Sequence, residues 1–275
     1  MKKIFLVFTL ILFTSCGMNN QVVNKSPDSS VELTFKVNDG KPYYSIKKNN
    51  KIIIDESLLG LMLKNNLDFT NDLKIKSISS SSHSSKWSPV FGEEKNILNE
   101  YNQMKVLLSK DSLEMLLLFK IFNDGVAFKY DVPNQKNIIS YDIIDEKTEF
   151  NLSSDDKAWW IPAFSYRRYE FLHAFSSVDS ISKKYFSENV EDITYDSLGI
   201  DAAHTPFTLK KKNGFYVSIH EANLVNYSSM TLAPKGDGLL EAELYPWSDG
   251  TKVKLNSNIT SPCLLYTSPS PRDRG

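Results

Sequence analysis

The stretch EMLLLFKIFNDGVAFKY, residues 114–130, decides the fold class. Residues 114–122 form a mainly apolar run, Asn123-Asp124-Gly125 is a turn signal, and residues 126–130 form a second, shorter one. A buried helix would also be apolar, but the length of the first run and its flanking turn favour a strand covered on both faces. The sequence therefore predicts an antiparallel hairpin at the centre of a β-sandwich.

The same pattern recurs on both sides of this hairpin. Residues 31–37 alternate apolar and polar before a turn at Asn38-Asp39-Gly40, and residues 43–46 and 51–54 flank a turn at Asn49-Asn50. Helical periodicity is thin and is limited to a turn or two around residues 57–63 and 167–175, while the serine run 79–85 indicates a surface loop with an exposed His83. We predict an all-β fold, a large two-sheet antiparallel β-sandwich.

Composition limits the possible partners. The chain is 41% hydrophobic and 12% aromatic, and roughly 230 residues remain once the terminal segments are set aside, which is enough for one large domain. The net charge is -1 and the pI is near 6.4. A nucleic-acid partner needs a basic surface, so this balance argues against one.

The N-terminal residues predict export. Lys2 and Lys3 precede an apolar run that is too short to span a bilayer, and small residues lead to Cys16, which is typical of a signal peptide over residues 1–16 with a lipidated cysteine. Ordinary cleavage near Cys16 is the alternative. Residues 17–30, rich in Asn, Ser, Lys and Pro, are expected to be a flexible tether. The expected location is the periplasm or the outer membrane, with membrane contact only through the lipid anchor.

Several kinds of active site find no support in the sequence. There is no Gly-x-Ser-x-Gly motif, no glycine-rich phosphate loop and no short metal-ligand spacing among the histidines. The cysteines are Cys16, a predicted lipid anchor, and Cys263, near the end of the chain. We therefore expect no structural disulfide.

Two stretches could carry chemistry. Trp159 and Trp160, followed by tyrosines, arginines and Glu170, offer flat apolar surfaces with polar edges that suit stacking on a sugar ring. Alternatively, the two tryptophans alternate on a strand, one in the core and one at its edge. His220 and Glu221 follow a strong strand and could act in acid–base work or metal binding, although adjacent strand positions face opposite sides.

Taken together, the ordered motifs resemble the N-terminal domain of glycoside hydrolase family 97. The matching segments span residues 31–262: 40–45 (GKPYYS), 57–61 (SLLGL), Tyr101-Asn102, 122–128 (FNDGVAF), 158–163 (AWWIPA), Tyr169-Glu170, Thr205-Pro206, 218–222 (SIHEA), 227–232 (YSSMTL) and Ser261-Pro262. The resemblance implies a sandwich of the mutarotase-like superfamily that precedes a (β/α)8 barrel, which is absent from this chain.

The resemblance also implies a function. Family members hydrolyse α-glucosidic or α-galactosidic bonds, by inversion or retention, with calcium bound by glutamates of which one comes from this domain. It implies Glu170 as that ligand, with Glu221 as the second choice. We expect substrate contacts from Trp159, Trp160, His220 and Glu221. The acid and base residues belong to the barrel, so no catalytic residue is expected in this chain. We expect a substrate-capping, calcium-contributing domain of an exported glycosidase whose substrate is an oligo- or polysaccharide.

The last residues depart from the family pattern. In the family, Ser-Pro is followed by Trp-Arg, whereas Cys263 stands here, and residues 263–275 resemble a transposase sequencing adapter translated in frame. The native domain is therefore predicted to end at Pro262. If this ending is native, the alternative is a stand-alone carbohydrate-binding lipoprotein, with Trp159, Trp160 and Trp247 as a stacking platform.

Overall fold

A computed structural model describes residues 20–92, 94–163, 170–190 and 200–267, with the backbone alone for residues 264–267. The strands are β1 (Gln21–Lys25), β2 (Val31–Asn38), β3 (Lys41–Lys48), β4 (Lys51–Leu58), β5 (Leu61–Leu63), β6 (Leu67–Asp68), β7 (Lys74–Trp87), β8 (Ile97–Lys110), β9 (Leu113–Ile121), β10 (Gly125–Val132), β11 (Ile143–Glu146), β12 (Glu149–Asn151), β13 (Lys157–Trp160), β14 (Ala174–Ser177), β15 (Ala203–His204), β16 (Phe207–Lys210), β17 (Tyr216–Ala222), β18 (Met230–Gly236), β19 (Leu239–Leu244), β20 (Ile259–Thr260) and β21 (Cys263–Thr267). Among the described residues there is one α-helix, α1 (Lys183–Asn189), between β14 and β15, and there are short 3-10 helices at Lys64–Asn66 and Val178–Ser180.

Two large antiparallel sheets form a sandwich, as the sequence predicted. One sheet has the order β1-β2-β3-β4-β12-β19-β18-β15, and the other has the order β14-β13-β16-β17-β21-β10-β9-β8-β7, with β20 also paired to β10. A small third sheet, β11-β5-β6, lies at one end. Of the residues described, no helix has the length and hydropathy needed to cross a membrane.

The core lies between the inner faces of the two large sheets. Phe35 on β2 contacts Phe119 on β9 with ring centroids 5.8 Å apart, and Tyr44 on β3 contacts Phe128 on β10 at 5.2 Å. All four side chains are buried. Each such side chain contributes on the order of 1.5–3 kcal/mol by leaving water, so these pairs hold one sheet against the other.

The hairpin of residues 114–130 is present as β9 and β10. Buried and half-buried residues alternate along β9, and Leu116 and Leu118 on its outer side are half-buried. The strand is therefore covered fully on one face and partly on the other, rather than on both. Its apolar outer residues made it resemble a doubly covered strand.

The turns lie where the sequence predicted them. Asp39 and Gly40 both have positive φ between β2 and β3, as do Asn49 and Asn50 between β3 and β4. These are the residue types that best tolerate this backbone region. A Cβ at Gly40 would meet the Asp72 backbone nitrogen at 2.7 Å, so only glycine fits this turn.

Three local predictions were wrong. Residues 21–25 of the expected tether are strand β1, paired with β2 in full register, so the fold includes residues well before Val31. The serine run 79–85 is part of the exposed strand β7 rather than a loop. Residues 57–63 lie mostly in β4 and β5, and no helix is formed there. In the first two cases a strand with little core contact lacks the apolar alternation that reveals strands in sequence.

The termini leave other predictions open. Residues 1–19, including Cys16, lie outside the described residues. Cys263 is a free cysteine at the start of β21, which pairs with both β10 and β17. The interpretation of residues 263–275 as adapter-derived stays a prediction.

Candidate functional site at the sheet junction

The two adjacent tryptophans face opposite sides of β13. Trp160 is only 1% exposed, packs near Phe186 of α1, and donates an indole hydrogen bond to Ser176 Oγ at 2.9 Å. Trp159 is half-buried on the outer side of the sheet, beside the exposed Phe175 at a centroid distance of 4.6 Å. The expectation that Trp160 contacts substrate is wrong, because a core side chain cannot reach a sugar.

Trp247 does not join these residues. It follows β19 of the eight-stranded sheet, whereas Trp159 lies on β13 of the other sheet. The three tryptophans therefore do not form the predicted platform. Trp159 lies on the outer side of its sheet beside Phe175, Trp160 lies in the core, and Trp247 lies in an exposed groove. Only Trp159 and Trp247 remain available to a ligand.

His220 and Glu221 also separate, as their adjacent strand positions require. His220 lies on the outer side of β17 with Tyr216 and Ser218, and burial lowers the pKa of its imidazole. Glu221 lies on the inner side, where the two sheets meet. The two residues do not form one acid–base pair.

Glu221 links the two large sheets. Its carboxylate accepts hydrogen bonds from the Met230 backbone N–H of β18 at 3.0 and 3.1 Å, and from Thr205 Oγ1, next to β15, at 3.3 Å. Burial raises the pKa of Glu221 to about 7, and the nearby Glu146 adds to this rise. Within the described residues no lysine, arginine or histidine forms an ion pair with it.

Glu146, at the end of β11, is a buried carboxylate in the same region. It accepts hydrogen bonds from Thr148 Oγ1 at 2.7 Å and from the Tyr227 hydroxyl at 2.6 Å. Tyr130 in turn contacts Thr148 at 2.8 Å and accepts from the Gly60 N–H at 3.0 Å. Burial nevertheless raises the pKa of Glu146. We call Glu146, Thr205, Glu221 and Tyr227 the junction cluster.

A wall of aromatic residues continues the junction cluster towards solvent. Tyr245 stacks on His204 with ring centroids 5.9 Å apart, and its hydroxyl lies 3.2 Å from His204 Nε2. Burial lowers the pKa of His204 to about 4, so this imidazole is neutral at physiological pH. Ser228 donates to the Tyr245 carbonyl at 2.8 Å.

Tyr227, Ser228 and Tyr245 also line a groove of about 960 Å³. The groove consists of residues 226–228, 245–248 and 252–257, and we call it the Trp247 groove after its most exposed aromatic side chain. Neither Tyr227 nor Tyr245 was identified from the sequence as a site residue. Burial, followed by the charge of Glu146, raises the pKa of Tyr227 well above its usual value.

Glu170 lies outside the strands that carry the other candidate residues. It is exposed and follows residues 164–169, which include Arg167 and Arg168 and lie outside the described residues. Glu221 is therefore the better-buried of the two proposed calcium ligands. Across the described parts of the chain, no group of three metal-ligating side chains occurs.

Comparison with known families decides the relationship. Residues 25–263 match the family described as Glycosyl-hydrolase 97 N-terminal. The chain belongs to this family. The resemblance inferred from the sequence motifs is thereby confirmed, and the family 97 match includes strands from both large sheets.

This family 97 chain matches only part of the length of its relatives. It is 23% identical over 254 residues to the retaining alpha-galactosidase of Bacteroides thetaiotaomicron, covering 91% of this chain but 36% of that protein. A glycoside hydrolase family 97 enzyme from Pseudoalteromonas sp. strain K8, solved in complex with acarbose, is 30% identical with a TM-score of 0.79, covering 90% of this chain and 35% of that one. The same enzyme, as an E480Q variant, is solved with panose. The chain thus spans about a third of these relatives.

A more distant structure supports the fold alone. A beta-arabinopyranosidase is 20% identical with a TM-score of 0.74, and the match covers 90% of this chain and 40% of that one. This similarity shows that the sandwich architecture is shared.

Proposed function

We propose that this family 97 domain caps the substrate and contributes to a calcium site in an exported glycoside hydrolase acting on α-glucosidic or α-galactosidic bonds. The observation that carries the proposal is Glu221: a half-buried carboxylate at the sheet junction, with a pKa raised to about 7 and no cation paired to it among the described residues. The relatives named as an alpha-galactosidase and as a family 97 enzyme bound to acarbose support the substrate class.

The donor set of the junction cluster suits calcium. Ca²⁺ prefers six to eight oxygen ligands, and Glu221 offers carboxylate oxygens in a place where a second carboxylate, Glu146, already makes a cation favourable. The described residues hold no cluster of three such side chains, and the proposal takes the remaining ligands from outside this part of the chain. A catalytic barrel that follows in the same polypeptide is the proposed source. When bound, calcium would polarise the substrate near the scissile bond.

The remaining residues of the site act without the metal. Met230 N–H and Thr205 Oγ1 fix the position of the Glu221 carboxylate, and Tyr227 does the same for Glu146. Tyr245 and the neutral His204 form a wall that limits access of water to this region. The domain would thus supply one side of a cleft, while the acid and base residues come from the barrel.

The first test is to sequence the genomic locus across codon 262 with a library made without transposase. A reading frame that continues into a barrel supports the proposal. The complete enzyme is then assayed on p-nitrophenyl α-glucoside and α-galactoside, and its melting temperature is recorded with and without calcium. Glu221→Gln should remove most of the calcium-induced rise in melting temperature, whereas Glu170→Gln should retain it. The reverse pattern would assign the ligand to Glu170, as the resemblance implied.

A second candidate function is a stand-alone carbohydrate-binding lipoprotein tethered through Cys16. The exposed Trp247 and its groove favour it, because a binding module needs an aromatic surface of its own. A genomic frame that ends as this chain does would support it. Metabolic labelling with a fatty acid, lost in Cys16→Ser, would test the anchor.

A further inference from the structure

The Trp247 groove has the dimensions and lining of a ligand site. Its volume of about 960 Å³ lies within the usual range for small-molecule sites, roughly 300–1,000 Å³. The lining combines three aromatic side chains, Tyr227, Tyr245 and Trp247, with amides and hydroxyls from Asn226, Asn256, Ser228 and Ser248.

The indole of Trp247 is held by its own loop. The Trp247 backbone N–H donates to the Thr251 carbonyl at 2.7 Å, and the Gly250 N–H donates back to the Trp247 carbonyl at 2.9 Å. Asp249 accepts from the Thr251 N–H at 3.1 Å, and Thr251 is buried. A loop fixed in this way presents a large aromatic ring without having to be ordered on binding, which lowers the entropic cost.

One face of this indole is already occupied. Lys254 Nζ lies over the ring at 5.1 Å from its centroid and is held there by Asp249 at 2.7 Å. Trp247 is still 59% exposed. A pyranose ring has one apolar C–H face and a rim of hydroxyls, so it can stack on the indole face opposite Lys254 while the rim bonds to neighbouring amides.

The groove is continuous with the junction cluster. Tyr227 lines the groove and donates its hydroxyl to Glu146 at 2.6 Å, and Ser228 lies two residues before Met230, whose N–H binds Glu221. Tyr245 lines the same groove and contacts His204. Tyr227 of the junction cluster and Trp247 therefore line one groove, and a sugar ring against Tyr227 would extend towards Trp247.

We propose that the Trp247 groove binds a second sugar ring of an α-linked oligosaccharide, with Trp247 as its stacking surface. This inference rests on the proposed function and names where that function's substrate extends. It assigns sugar binding to Trp247 and not to Trp159, which lies on β13 of the opposite sheet.

The test follows the indole N–H signals of the four tryptophans in ¹⁵N NMR spectra of the purified chain. The probes are maltotriose (α-glucosyl), raffinose (α-galactosyl) and the β-linked cellotriose as a control. Signals are assigned with Trp→Phe variants. The matched control is Trp87→Ala, because Trp87 is 52% exposed and lies on β7, in the other sheet.

The Trp247 signal should shift in a saturable way with maltotriose or raffinose, while Trp87, Trp159 and Trp160 stay in place. Trp247→Ala should weaken the affinity roughly tenfold, the loss expected when one stacked ring is removed, without lowering the melting temperature. Trp87→Ala should leave the affinity unchanged.

Three results would overturn the proposal: a shift of Trp159 instead of Trp247, equal shifts with cellotriose, or no shift with any probe. These outcomes do not decide the proposed function, because the calcium-induced rise in melting temperature depends on Glu221 and not on Trp247. If that rise is absent while Trp247 still binds maltotriose, the groove stands and the enzyme proposal falls.

Discussion

Two carboxylates on inward-facing positions of this domain, the buried Asp156 and the half-buried Glu221, have opposite surroundings. Asp156 is 1% exposed, and its carboxylate accepts from Lys211 Nζ at 2.6 Å and from the backbone N–H groups of Ser153 and Lys212 at 3.2 Å. Glu221 accepts from one backbone N–H, that of Met230, which both its oxygens share, and from a hydroxyl. No lysine pairs with it, and the charge that acts on it is another carboxylate, Glu146.

This difference separates a structural carboxylate from one that is available for binding. The charge of Asp156 is neutralised within the fold, and its removal should damage only stability. The charge of Glu221 is not neutralised, so folding costs free energy at neutral pH that a cation could recover. A protein tolerates such a cost where a function requires it.

The largest loss of stability is expected when the ion pair between Asp156 and Lys211 is broken. Lys211→Met leaves Asp156 buried and uncompensated, so the free energy of unfolding should fall by about 3–5 kcal/mol in urea titrations. The matched control is Lys212→Met, because Lys212 is exposed and pairs with the exposed Asp155. The control should lose less than about 1 kcal/mol. Equal losses would show that Asp156 and Lys211 are not a special pair.

The next effect is a pH dependence carried by Glu221. Its pKa is 4.5 in the unfolded chain and about 7 in the fold, so the folded state binds the proton more tightly. Protonation of Glu221 therefore adds to the free energy of unfolding. This contribution is complete below about pH 4.5 and is lost as the pH rises through 7. Allowing for partial solvent access, the wild type should lose about 2 kcal/mol relative to Glu221→Gln between about pH 5 and 8.

Chemical denaturation of both proteins at several pH values measures this effect. The fixed cost of the substitution cancels, because only the change in the difference with pH is compared. Parallel stability curves for the wild type and Glu221→Gln would contradict the raised pKa. Glu188→Gln, a variant on the exposed face of α1, should follow the wild-type curve.

A smaller loss of stability is expected when the hydrogen bond from Tyr227 to Glu146 is removed. Tyr227→Phe removes a hydrogen bond of 2.6 Å to a buried carboxylate and should lower the free energy of unfolding by about 1–2 kcal/mol at pH 7. The loss should shrink in acid, where Glu146 is protonated. Tyr44→Phe, which removes a bond to the Glu149 carbonyl at 2.8 Å, is the comparison with a neutral acceptor and should show no such pH dependence.

The smallest effect belongs to an exposed pair. Lys184 and Glu188 are four residues apart on α1, with Nζ and Oε1 separated by 4.0 Å. Glu188→Gln should change the free energy of unfolding by less than about 0.5 kcal/mol in the same urea titrations. If Glu188→Gln lost as much stability as Lys211→Met, burial could not explain why the Asp156–Lys211 pair contributes more than an exposed pair.

Much of the fold could be predicted because its signals are local. The alternation in β2 and the turns at Asp39-Gly40 and Asn49-Asn50 gave the hairpins, and the motif series gave the family. The strands without core contact could not be recognised. Strand β1 and the serine-rich part of β7 have few apolar residues, so nothing in their sequence distinguished them from a tether or a loop.

The candidate site was predictable only in part. Glu221 was singled out by its motif, and the strand period correctly separated it from His220 and Trp159 from Trp160. Glu146 and Tyr227 were not named as site residues. Glu146 lies outside the quoted motifs and Tyr227 begins one of them, but their importance comes from contact with each other across a large sequence separation.

The sequence by itself determined the strand content, the hairpin turns and the family, because alternation and turn chemistry act within a few residues. Only the tertiary structure decided that Glu221 lies at a sheet junction beside Glu146, and that Trp160 is in the core while Trp247 is in a groove. The physical reason is that the period of a strand fixes which side a residue faces, whereas the stacking of sheets fixes what that side meets.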